Sequence, residues 1–189
     1  MVVRLDTFGA EPIMSSRTYA HHAESHERLR ASIDDLFAYL DAHPRLAAHM
    51  QRPSWRMAWG RMTVLLDAQD GRAVGSRIRI DGRVLGLRLW VDEVVVERVP
   101  PTHKVWETVG VPRLLVIGPY RMGFALTANG QGEAGVMLSV FIDYDLPGRG
   151  FARLLGRLLG RLLGRWYAQW CTEQMVADAH TAFGAHVSR

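Results

Sequence analysis

Residues 153–164 repeat one unit three times: Arg153-Leu154-Leu155-Gly156, Arg157-Leu158-Leu159-Gly160, Arg161-Leu162-Leu163-Gly164. A four-residue repeat runs close to the 3.6-residue helical turn, and no proline interrupts the chain from there to Phe183. The spacing predicts one long amphipathic helix, roughly Pro147 to Phe183. On a helical wheel Ala152, Leu155, Leu159, Leu162, Leu163, Trp166, Trp170 and Ala177 form one apolar stripe. Arg153, Arg157 and Arg161 fall on the far side, with Arg165 near it. About 35 helical residues would span about 50 Å, which is longer than a small domain is wide, so one end is expected to project or bend. Gly156, Gly160 and Gly164 each cost about 1 kcal/mol of helix propensity relative to alanine. That loss points to close packing on a sheet or a neighbour. An oligomer contact and a membrane-surface role are the lesser readings, and the arginine at every fourth position speaks against insertion into lipid.

Strands dominate upstream of this helix. Met57 to Ala68 ends at the turn signal Gln69-Asp70-Gly71. Gly75 to Asp81 alternates, with Ser76, Ile78 and Ile80 on one face, and Asp81-Gly82 reads as a hairpin turn. Leu85 to Val99 is β-branched and stops at Pro100-Pro101; Lys104 to Gly110 follows. Tyr120 to Thr127 places Tyr120, Met122, Phe124 and Leu126 on one face, and Val136 to Tyr144 returns from the turn at Asn129-Gly130. Earlier still, Tyr19 to Arg30 reads as a first strand. Ser32 or Asp34 can cap a helix over Ile33 to Leu40, and Pro44 separates it from a second short helix at Arg45 to Met50. Residues 1–17 read as an irregular arm, and residues 18–189 as a single domain.

The fold class that follows is α+β: a curved antiparallel sheet of about seven strands wrapped around a long C-terminal helix, with two short helices after the first strand. A sheet and helix arranged this way make a cup, and cups of this size hold small apolar molecules.

Composition narrows the partners. The 189 residues are 48% apolar and 22% charged with a net charge of +4, enough for one core. Basic residues are almost all arginine, since Lys104 is the only lysine, and outside the last helix they are scattered, so nucleic acid is not an expected partner. Cys171 is the only cysteine, which rules out a disulfide framework within one chain and fits the cytoplasm. Residues 1–17 lack a signal-peptide pattern, and no run of 18 uncharged apolar residues occurs. The expected partner is a small hydrophobic ligand, with peripheral membrane contact and a homodimer through the last helix left open.

The residues expected to line the cup are Trp59, Trp90, Trp106, Tyr120, Met122, Phe124, Phe141, Leu159, Trp166 and Trp170. For acid–base work the candidates are Glu107, Asp143 and Tyr120, all weak, because the chain has no nucleophile elbow, phosphate loop or dinucleotide fingerprint. His22, Glu24 and His26 share one side of the first strand, but no further ligand is evident, so they read as a solvated edge and no metal or other cofactor is expected.

The order of strand, two helices, strand meander and long helix resembles the START-like, or SRPBCC, superfamily. This group includes polyketide cyclases and dehydrases, coenzyme-Q-binding proteins, lipid-transfer domains and pollen-allergen-like proteins. Leu29 to Leu40 is similar to that family's passage from first strand to first helix. Val94 to Val99, then Pro100-Pro101-Thr102-His103-Lys104-Val105-Trp106, is similar to its strand, Pro-rich turn and Trp-bearing strand. The resemblance covers roughly residues 19–183 and implies a helix-grip fold with a cavity for a hydrophobic or aromatic ligand such as a lipid, quinone or polyketide. It implies no cofactor and carries over no catalytic residue. A cyclase or dehydrase acting on an aromatic or polyketide-like substrate, and an interaction module, are the alternatives. The Leu-Leu-Gly-Arg repeat departs from the family's usual terminal helix.

Overall fold

The computed structural model of the chain describes residues 2–4, 17–42, 61–84, 86–128, 135–147 and 160–183. Within them run β1 (Val2–Arg4), β2 (His21–Leu29), α1 (Ile33–Asp41), β3 (Arg61–Leu66), β4 (Arg77–Val84), β5 (Leu87–Val99), β6 (His103–Arg113), β7 (Tyr120–Ala128), β8 (Val136–Tyr144) and α2 (Gly160–Phe183). Strands β3 to β8 form an antiparallel meander, and β2 pairs with β8 to give a seven-stranded antiparallel sheet. Val2–Arg4, read as part of an irregular arm, instead adds a parallel strand beside β3. The second short helix expected at residues 45–50 lies outside the described residues.

Alternation along the strands sorts side chains cleanly between two faces. Cross-strand partners place Val95, Trp106, Met122, Ile142 and Ala23 in one row on the inner face, all buried. Leu66 and Ile78, then Val64 and Ile80, extend that face to β3 and β4. One expected turn moves. Asp81 and Gly82 continue β4, paired with Trp90 and Leu89, and the chain reverses at Gly86, whose φ is +77°. Glycine is permissive at both positions, so dipeptide chemistry alone favoured the wrong one. The reversal at Gly86 keeps Ile78 and Ile80 on the buried face, opposite Glu93 and Val91.

Helix α1 starts where its cap was expected. The Ser32 hydroxyl accepts from the Asp35 amide at 3.0 Å, and Asp34 and Asp35 in the first turn complement the helix dipole. Leu36, Phe37 and Leu40 bury one face, with the Phe37 ring edge-on to Phe124 at 5.7 Å. At its end the Asp41 carboxylate receives a two-pronged bond from Arg98, at 3.1 and 2.9 Å, and one from Lys104 at 3.0 Å. Lys104 also donates to the Asp41 carbonyl at 3.0 Å. The only lysine of the chain is thus a fully buried tie between α1 and the sheet.

Helix α2 packs mainly on β2 and β8. Its 24 described residues span about 36 Å. Pro147 is not helical, and residues 148–159, which hold most of the Leu-Leu-Gly-Arg repeat, lie outside the described residues. The buried face also differs from the expected stripe. Of the expected stripe Trp170 is buried and Leu163 half-buried, but Leu162, Trp166 and Ala177 are exposed, and Gly164, Ala168, Cys171, Thr172, Met175, Val176 and Ala179 are buried instead. Wheel analysis weights large apolar side chains, but a helix seated close to a sheet turns its small residues inward. Gly164 shows how close: a Cβ there would stand 3.0 Å from Leu146 Cδ2 and 3.3 Å from both Tyr144 Cε2 and the Val116 carbonyl.

Candidate functional site

One pleat from the apolar row, the inner face carries a second row of different chemistry: Glu93, Thr108, Tyr120, Tyr144 and His21. The Tyr120 backbone amide donates to Thr108 Oγ1 at 3.2 Å, and the Tyr120 hydroxyl donates to Glu93 Oε1. His21 lies against the Tyr144 ring at 5.2 Å. Above this row, α2 contributes Tyr167 and Cys171, hydrogen-bonded to each other one turn apart, and Trp170 at 5.7 Å from the Tyr167 ring. Hydrogen-bonding groups therefore sit directly beside a wall of Trp106, Met122 and Phe124, all buried from water.

Burial governs the acidities here. It pushes the Tyr120 phenol well above its ordinary value, and the negative charge of Glu93 adds to the shift. Burial likewise raises the Cys171 thiol to about 12, against a smaller opposing effect of the Tyr167 hydrogen bond. Tyr167 is raised well above its ordinary value by neighbouring Cys171 and by burial. At neutral pH these three groups are protonated, so they serve as hydrogen-bonding groups and not as nucleophiles.

At the edge of the sheet an open groove of about 680 Å³ runs between β2 and α2, lined by Ser25, Glu27, Gln169, Glu173, Val176 and His180 among others. Among the described residues no group of three or more His, Cys, Asp or Glu side chains could hold a metal ion, and no helix is long and apolar enough to cross a membrane.

This architecture is shared with proteins of known structure. The chain is similar to TTHA0849 from Thermus thermophilus, at 12% identity and a TM-score of 0.55, over 86% of this chain and 99% of that one. It is similar to the di-domain ARO/CYC BexL from the BE-7585A biosynthetic pathway, at 13% identity and 0.54, over 89% of this chain and 50% of that one. Norcoclaurine synthase from Thalictrum flavum matches at 13% identity and 0.51, over 92% and 98%. The fold is a helix-grip fold, an antiparallel sheet with a long C-terminal helix packed against it, as in these structures. No family model and no curated protein matches the sequence.

The helix grip sorts the expected site residues into three groups. Trp106, Tyr120, Met122 and Phe124 come together on the inner face, and Trp170 joins them from α2. Trp90 and Phe141 occupy the outer face instead: Trp90 lies under the Arg79 guanidinium at 5.7 Å, and the Phe141 ring lies over Gly123, where a Cβ would meet it at 2.9 Å. Trp166 is half exposed and stacks on Trp170 at 6.5 Å. Trp59 and Leu159 lie outside the described residues.

The acid–base candidates separate in the same way. Glu107 is buried on the outer face opposite Arg121; burial pushes its carboxyl up, and Arg121 and Arg17 pull it back. Asp143 is also on the outer face, bonded to His22 at 2.7 Å. Tyr120 alone faces inward, and its partner Glu93 is the residue that sequence reasoning missed. A signal existed: Leu89, Val91, Glu93 and Val95 share one parity of their strand, and the other three are apolar and buried.

Proposed function

We propose that this protein binds a small, largely apolar molecule bearing one hydrogen-bonding group, held between the inner face of the sheet and α2. The observation that carries this reading is the pairing of the two inner rows. Trp106, Met122 and Phe124 supply apolar surface, and one pleat away Thr108, Tyr120 and Glu93 supply donors and acceptors that orient a polar end. Lipids, quinones and polyketide-like molecules share that chemistry. The helix-grip fold is consistent with it, although a fold shared at this identity does not set function.

A second reading, an enzyme of the cyclase or dehydrase kind, draws on the same pair. A carboxylate bonded to a phenol in an apolar interior can pass a proton.

The test is native mass spectrometry of protein from its own host, followed by organic extraction. A co-purifying apolar species with a hydroxyl, carbonyl or acid group is expected, with weaker retention in Tyr120→Phe. Conversion of an added polyketide-like substrate, lost in Tyr120→Phe, would establish the enzyme reading instead. An empty mass, combined with no quenching of tryptophan fluorescence by quinones, fatty acids or aromatic polyketides, would overturn both.

A further inference from the structure

In the order of the sheet β2 comes last, paired with β8 on one side and with no strand among the described residues on the other. We propose that this open edge pairs antiparallel with β2 of a second copy of the chain, across a two-fold axis at Ser25, so that the two sheets become continuous.

The backbone shows what the edge offers. The Asp145 amide donates to the Pro119 carbonyl at 3.0 Å, in step with the pairing of Tyr144 and Tyr120. Hydrogen-bonded and non-hydrogen-bonded pairs alternate along an antiparallel ladder. Odd-numbered residues of β8 therefore turn their backbone groups to β7, and even-numbered ones turn theirs to β2. Opposite the latter stand His21, Ala23, Ser25, Glu27 and Leu29. Between these, the N–H and C=O of His22, Glu24 and His26 point to the open side. Side-chain exposures of 54%, 37% and 55% show that this side is reached by solvent. The open groove of about 680 Å³ runs beside Glu24 to Glu27, so α2, which touches the strand at Ser25 through Thr172, does not close the edge.

The side chains select the occupant. A two-fold contact is isologous, so residue i meets j and j meets i. Ser25 is the middle residue of the nine in β2, and only an axis there gives every residue of the strand an opposite. The outward-facing backbone groups then meet as Glu24 with His26 on both sides of the axis, a carboxylate acceptor against an imidazole donor. Towards the ends His22 meets Arg28, and Asp143, bonded to His22 at 2.7 Å, supplies negative charge there. Moving the axis to Glu24 would set that carboxylate against itself. Charged side chains ordinarily keep an edge strand from pairing, but here they complement each other across the axis.

Sedimentation equilibrium of the full-length protein, from micromolar to millimolar concentration, tests this. Twice the chain mass is expected. His26→Pro removes an outward N–H and no bond to β8, a change that an edge strand tolerates, and should leave a monomer. Glu24→Lys sets two donors face to face and should weaken the dimer about tenfold or more. Ser25→Cys should link the two copies under mild oxidation, because residues of a non-hydrogen-bonded pair stand about 4.5 Å apart at Cα, within disulfide reach. Val111→Cys, exposed on β6, serves as the control and should stay unlinked. Thermal melts matching the parent would show that the variants are folded; if His26→Pro does not fold, Glu24→Lys and Ser25→Cys decide. A single-chain mass throughout the range, a dimer that keeps its affinity in the folded edge variants, or a dimer in which Ser25→Cys stays unlinked would overturn the proposal.

Discussion

The Tyr120 phenol reaches from the seventh strand to the fifth and donates its hydrogen bond to the buried Glu93 carboxylate. Thr108, small enough to be spanned, stands between them in the same row and accepts from the Tyr120 amide. Removing the phenol oxygen takes a donor from a buried carboxylate and should cost about 1–3 kcal/mol. Tyr120→Phe is therefore expected to lower the urea midpoint with an unchanged slope. An unchanged midpoint would mean that the pair contributes nothing to stability.

Acid should loosen the junction between α1 and the sheet. Burial pushes the Asp41 carboxyl up, but Arg98 and Lys104 together outweigh it and hold Asp41 below its ordinary value of 3.8. A folded value below the unfolded one means that this contribution is present above pH 3.8 and is lost as pH falls through the lower folded value. Asp41→Asn should destabilise the protein by about 3–5 kcal/mol at neutral pH, because Lys104 stays buried without its anion. The gap between parent and variant should narrow in melts taken below pH 3.8. A gap that is constant with pH would show that the charge of Asp41 is not what matters.

Gly164 tests how closely the helix is seated. Alanine gains about 1 kcal/mol of helix propensity, set against a Cβ 3.0 Å from a movable Leu146 methyl and 3.3 Å from the fixed Val116 carbonyl. Gly164→Ala should thus be nearly neutral. Gly164→Val adds bulk that the carbonyl cannot yield to, and is expected to destabilise by about 1–3 kcal/mol. Equal melting temperatures for the two variants would contradict this packing.

Cys171 should be chemically silent. It is 7% exposed and its thiol is raised to about 12, so thiolate is scarce at pH 8. Iodoacetamide is expected to modify it only after denaturation, as followed by intact mass. Rapid alkylation of the native protein would show that α2 opens readily from the sheet.

Much of the sheet was legible from residue order because β strands declare themselves by parity. Tyr120, Met122, Phe124 and Leu126 alternate with smaller or polar neighbours, and all four are buried as expected. Ser32 capped α1 as its chemistry required. Helix α2 was legible in position over its described length but only in part in rotation: Trp170 is buried as expected. Leu162 and Trp166 look like a buried stripe on a wheel, yet small residues such as Gly164 and Ala168 make the contact. The site was harder to read. Trp90 and Phe141 are as apolar as Trp106, and only strand register says which face each occupies.

By itself the sequence determined the α+β class, the antiparallel meander and the terminal helix, because turn chemistry and hydrophobic period act over a few residues. Tertiary structure alone decided that Glu93 meets Tyr120, that Lys104 is buried against Asp41, and that His22 and His26 face one carboxylate. The Glu93–Tyr120 and Lys104–Asp41 contacts join residues 27 and 63 positions apart. The two histidines are near neighbours in sequence, but their rings are aimed from another strand, by Asp143 and Ser139. Pairings of this kind are set by register and by the desolvation of charge in the folded interior, which no local pattern encodes.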